Sequence, residues 1–171
     1  MFRIFTLFAL LSLMPILALA QDEKESTLTT VGQAVPDFQV TTIANEQLDI
    51  QKMKGKTVLI NFFATWCAPC MAEMPHLQKE IREKFKSDNF VVIAVGREHS
   101  AEELTKFNNE KGFTFLIAPD PKREVYGKFA KAYIPRNYLI DKTGKIIYQS
   151  IGFNKDEFEE LKATIQRSIS E

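Results

Sequence analysis

The sequence predicts an α/β domain, a mixed central sheet flanked by helices on both faces. Three observations carry that expectation. Two buried, β-rich runs, 57–64 and 90–95, are separated by apolar residues at helical spacing, the pattern of a βαβ crossover. Two later β-rich runs, 137–140 and 145–151, flank Asp141-Lys142-Thr143-Gly144, a hairpin signal that adds antiparallel strands. An amphipathic run over 156–168 closes the chain, with Phe158, Leu161 and Ile165 on one face.

The elements follow in order. Residues 1–20 differ from the rest: Arg3 precedes an almost wholly apolar stretch, Ile4 to Leu19, and Ala18-Leu19-Ala20 has the small-x-small form of a cleavage site. This reads as a secretory signal peptide. The competing expectation is an uncleaved N-terminal anchor, although the stretch is short for a bilayer span. Residues 21–33 are polar and are expected to be flexible. The globular domain is expected over 34–171. Short strands are expected at 38–42 and 47–50. The run 57–64 is interrupted only by Asn61, as suits a central strand buried on both faces. A helix is expected over 67–87, where Cys70, Met74, Leu77, Ile81 and Phe85 form one stripe and Pro75 introduces a kink. Ser100 and Glu103 form a capping box ahead of a helix to residue 111. A short strand at 114–118 and a helix within 121–132 complete the order.

Composition narrows the function. The 22 basic and 22 acidic side chains balance, and no basic, aromatic-interleaved stretch points to nucleic acid. Cys67 and Cys70 are the only cysteines. A bond between them closes too small a loop to stabilise much, so the pair is better explained by reactivity. Structural zinc needs four ligands. His76 and His99 are the available imidazoles, but His76 falls on the polar side of its helix, so no metal is expected. No cofactor is expected either. Arg97-Glu98-His99 is expected as a solvated loop near the strands' carboxyl ends.

Trp66-Cys67-Ala68-Pro69-Cys70 follows a buried strand and opens a helix. Thiol–disulfide exchange needs a thiolate. A helix start offers unpaired N–H groups and the positive end of the macrodipole, both of which favour an anion. Cysteines so placed have pKa values of about 3.5 to 7.5. Cys67 is therefore expected to be the exposed attacker, with Cys70 one turn deeper as the resolving thiol. Glu73 lies one turn beyond Cys70. A half-buried carboxylate there should have a raised pKa and could exchange a proton with Cys70. The alternative is an ordinary solvated glutamate.

The run from Asn61 to Cys70 resembles the ResA/TlpA/DsbE-like branch of the thioredoxin superfamily. So do Val35-Pro36-Asp37-Phe38, 55–61, Glu73-Met74-Pro75, Ile134-Pro135 and Leu139-Ile140-Asp141. The resemblance covers 34 to the C-terminus and implies a thioredoxin fold. It implies a proton-managing role for Glu73, and Asn61 occupies the strand position where cytoplasmic thioredoxins carry an aspartate. It also implies a cis Ile134–Pro135 bond facing the cysteines. Ile134, Pro135 and Trp66 would then border the substrate groove. The implied activity is reduction of protein disulfides in the periplasm, with apocytochrome c among the clients of similar proteins. A membrane thiol donor would recharge the pair, and the protein is expected to act as a monomer. Arg136 departs from the family's usual threonine and is expected beside the groove. Phe63 replaces a common tryptophan in the core. Two other classes compete: a peroxiredoxin-like peroxide reductase, which would call for a threonine three residues before its cysteine, and a non-catalytic client-binding module.

Overall fold

A computed structural model of the chain describes residues 24–170. The expected signal sequence lies outside them. Among the described residues no helix is long and apolar enough to cross a membrane.

Strands β1 (Gln39–Thr41) and β2 (Gln47–Asp49) form a small antiparallel sheet of their own. The central sheet contains β3 (Thr57–Phe63), β4 (Phe90–Arg97), β5 (Leu116–Asp120), β6 (Arg136–Ile140) and β7 (Ile146–Ile151), in the order β5-β4-β3-β6-β7. β3 and β4 are parallel, as are β4 and β5, while β6 and β7 run antiparallel. The expected mixed sheet is thus present. All seven residues of β3 are buried, as its apolar run requires.

Side-chain alternation divides the core. Leu59 and Phe63 of β3 face one layer with helices α1 (Ala68–His76), α2 (Ala101–Lys111) and α4 (Lys155–Ser170). Val58, Ile60 and Phe62 face the other, where the one-turn helix α3 (Tyr126–Phe129) packs with the β1–β2 hairpin. Helices therefore cover both faces, unequally.

The single helix expected over 67–87 is two pieces. α1 ends at His76, and residues Leu77–Arg82 continue as a π-helix. Pro75 explains the break: without an N–H it cannot bond the carbonyl of Met71. The apolar stripe survives the change, and Cys70, Met74, Leu77 and Ile81 are all fully buried.

Residues 24–33, the described part of the segment expected to be flexible, make main-chain bonds to the domain. Leu28 N donates to Phe129 O, and Gly32 N to Ile146 O. Ser26 and Thr29 are buried. Polar residues here supply partners to the exposed edge of β7 and to a buried cation, which composition alone does not reveal.

Candidate active site

β3 ends at Phe63, and Ala64–Cys67 turns the chain into α1. Cys67 N donates to Ala64 O across this turn at 3.1 Å. Cys67 is the N-cap of α1, and its sulfur accepts from Cys70 N at 3.3 Å. An anion at Cys67 Sγ would therefore meet a free helix N-terminus and one N–H already aimed at it. Pro69 fits the second helical position, where its missing N–H costs nothing.

Cys67 and Cys70 form a disulfide. Cys67 is only 6% exposed, less than its expected role as an open attacker suggested. The reason is geometric: its sulfur is bonded to Cys70 and lies 3.7 Å from Ile134 O. It is still the more accessible of the two, since Cys70 is fully buried. The Ile134–Pro135 peptide bond is cis. Trp66, 61% exposed, directly precedes Cys67 in the chain, and the exposed Tyr133 directly precedes Ile134.

Glu73 is 1% exposed, deeper than the half-buried position expected of it. Two carboxamides hold its carboxylate. Asn137 Nδ2 donates to Oε1 at 2.6 Å, and Asn61 Nδ2 donates to Oε2 at 2.9 Å. Asn61 also donates to Asn137 Oδ1 at 2.9 Å. The arrangement follows from register, because Asn61 of β3 is paired with Asn137 of β6. Burial pushes the Glu73 pKa up to about 7, and the bonds from Asn137 and Asn61 pull less strongly the other way. Neutral amides can solvate the anion but cannot cancel its charge. The carboxyl sits in contact with a cavity of about 10 Å³, lined also by Asn137, Tyr148 and Ser150. That is close to the space one water occupies.

A redox-active disulfide at a helix start, a buried carboxylate one turn on and a cis-proline loop against the sulfur now stand together. The Redoxin family profile matches residues 30–165. The chain belongs to the Redoxin family. The thiol-disulfide oxidoreductase ResA of Bacillus anthracis is 34% identical over 122 residues, covering 71% of this chain and 70% of that protein. The thioredoxin-like protein YneN of Bacillus subtilis is 35% identical, over 75% of this chain and 76% of its own. Among solved structures, a putative protein disulfide isomerase from Bacteroides thetaiotaomicron superposes with a TM-score of 0.81 at 32% identity, covering 85% of this chain and 94% of that one. A putative thiol:disulfide interchange protein DsbE from Chlorobium tepidum gives 0.71 at 28% identity, over 81% and 97%. This Redoxin-family chain is a thiol–disulfide oxidoreductase of the ResA/DsbE type, with a thioredoxin fold.

Within the family framework two places depart from expectation. Arg136 is not beside the groove. It is 1% exposed, and its guanidinium bonds Ser26 Oγ at 2.6 Å, Thr27 Oγ1 at 2.9 Å and the carbonyls of Ala132 and Tyr133. Ser26 and Thr27 lie about 110 positions away in sequence, so local reading could not find them. Of Arg97-Glu98-His99, expected as a solvated loop, only Glu98 is exposed: Arg97 is the last residue of β4. His99 is buried against the turn before Cys67, and the Arg97 guanidinium lies 5.5 Å from the Trp66 ring centroid. Asn137 was legible only as a strand residue; a polar residue in an otherwise apolar run was the available signal.

Proposed function

We propose that this oxidoreductase reduces disulfides of client proteins outside the cytoplasm, with Cys67 attacking, Cys70 resolving and Glu73 moving the proton. The Cys67 thiolate attacks one sulfur of the client disulfide. The other client sulfur leaves as a thiolate and takes a proton from solvent. Cys70 then gives its proton to Glu73 and attacks Cys67 Sγ, releasing the second client thiolate, which is protonated in turn. The client gains two electrons and two protons, and Cys67–Cys70 becomes the disulfide.

The observation that carries this reading is the buried Glu73, held at a pKa near neutrality one helical turn from Cys70. A proton carrier works best when its pKa lies near the working pH. The export-like leader at residues 1–20 supports action outside the cytoplasm, as does the likeness to an exposed lipoprotein thioredoxin of Streptococcus pneumoniae at 25% identity. The client pairs with the backbone around Ile134 as a short added strand, flanked by Trp66 and Pro135. Apocytochrome c is the client class implied by the family resemblance. A membrane thiol donor returns the disulfide to the dithiol, and the protein acts as a monomer.

Two measurements test the proposal. The Cys67–Cys70 midpoint potential should lie in the reducing range, and a value near −120 mV, as in a strong oxidant, would refute the direction. The pH profile of client reduction should show an inflection near 7 that Glu73→Gln removes, with a rate loss of about 100-fold. An unchanged profile in that variant removes the proton role.

A further inference from the structure

The β3–β4 ladder ends at the pair Phe63 and Gly96. The next N–H on the β3 side is that of Thr65, inside the turn that presents Cys67. The turn's own bond, Cys67 N to Ala64 O, leaves it unused. His99 takes it: Thr65 N donates to His99 Nε2 at 3.0 Å, with Thr65 Oγ1 at 3.3 Å from the same nitrogen.

The surrounding chain brings the imidazole there. Glu98 has φ of 64°, a left-handed conformation that is uncommon for a residue with a side chain. It reverses the direction of the backbone just after β4. Gly96 lets α2 come close, since a Cβ there would lie 2.7 Å from Leu104 Cδ1. Ser100 then caps α2, and its N–H holds Glu103 Oε2 at 2.7 Å. That same carboxylate oxygen lies 3.7 Å from His99 Nδ1. A fixed anion on the Nδ1 side favours the proton there and leaves Nε2 with its lone pair. His99 Nδ1 itself has no hydrogen-bond partner among the described residues, so Glu103 acts on it through its charge alone.

From this we infer that His99 is a positioning residue for exchange: its neutral imidazole supplies the last rung beside β3 and fixes the turn that carries Cys67. The role depends on protonation state. An imidazolium carries a proton on Nε2 as well, so it would turn a donor toward the Thr65 N–H and the bond would be lost. The charged groups around it are Glu103 from α2, Arg97 and Glu98 from the end of β4, and Arg123 after β5, which reaches Glu98 at 4.0 Å.

The inference rests on the reading of Cys67 as the attacking thiol, so Cys67→Ser is measured alongside. The experiment compares the reduced full-length protein with His99→Leu and His99→Gln, using the rate of reduction of a small aromatic disulfide across pH. A glutamine carbonyl can accept the same N–H but does not titrate. His99→Leu should lower the neutral-pH rate about tenfold, the cost of a buried donor left unmade. His99→Gln should keep most of the rate, because its carbonyl accepts the same N–H, and should lack any acid-side dependence that the imidazole carries. In the native protein the Thr65 amide resonance should titrate together with the His99 ring nitrogens, a measurement independent of whether His99→Leu folds. A Thr65 amide that ignores His99 protonation overturns the inference. So does a native rate and profile in folded His99→Leu, or equal impairment of the leucine and glutamine variants. Exchange surviving in Cys67→Ser overturns the reading of the cysteines instead, and leaves the Thr65 titration as a separate result.

Discussion

Two carboxylates seven residues apart on the stretch after the cysteines meet opposite fates. Glu73 is sealed in the core between two amides, and its pKa rises to about 7. Glu80 lies on the outer side of the π-helical turn, its side chain 28% exposed. It is 2.6 Å from His76 Nδ1 and 2.6 Å from Lys162 Nζ, and these partners pull its pKa down to about 2. Both carboxylates accept two short hydrogen bonds. The contrast therefore lies in what surrounds those bonds. Water, the His76 ring and the Lys162 ammonium reward the anion at Glu80, whereas burial among neutral groups penalises it at Glu73. Only the second environment yields a group poised to take or give a proton near neutrality.

The difference should show most strongly in stability. Glu73 has a folded pKa above its unfolded value of about 4.5. Between those pH values the native state holds a proton that the unfolded chain has lost. Folding stability should therefore fall as pH rises from about 4.5 to about 7, and then level off. A rise of this size corresponds to a loss of at most about 3 kcal/mol. Denaturant unfolding of the oxidised protein at pH 4.5 and pH 8 measures it, with the cysteines silent because they are bonded. Glu73→Gln should remove that slope and be the more stable protein at pH 8. A native stability that is flat over this range would show that Glu73 is not held neutral by burial.

Next in size is the effect of the amides. Asn137→Ala deletes the shorter of the two bonds to the carboxylate. Because that bond favours the anion, its loss should raise the Glu73 pKa further, by about one unit for a charge-assisted bond. The inflection in client reduction should move up by the same amount. A downward shift would mean that water entering the space solvates the anion better than the amide does.

Such effects show what was legible in the chain. The cysteine pair and Glu73 were readable because their relation is local, set by three-residue spacing on one helix. The sheet was readable from apolar periodicity. Asn137 could not be placed near Glu73, because that contact depends on β3–β6 register across 64 positions of sequence. Arg136 was misread for a related reason: its charge is satisfied by Ser26 and Thr27, in a segment whose polar composition suggested flexibility. His99 was hidden by the left-handed Glu98, which returns the chain toward β3 where a solvated loop was expected. Local chemistry was visible, and contacts made by tertiary return were not.

Loss of Glu80 should matter least. Glu80 has a folded pKa below its unfolded value, so its contribution is present above about 4.5 and is lost as pH falls toward 2. The lowered pKa overstates that contribution, because water and salt screen an accessible cluster. Glu80→Gln should cost less than about 1 kcal/mol at pH 7. The loss should shrink further in high salt, since the His76 and Lys162 partners are themselves reachable by counterions. Exchange kinetics should keep their inflection near 7, because Glu80 lies on the exposed side of its turn, remote from the Asn61–Asn137 pair. A large, salt-insensitive loss would place Glu80 in the core's electrostatics after all, and the two carboxylates would then differ in degree and not in kind.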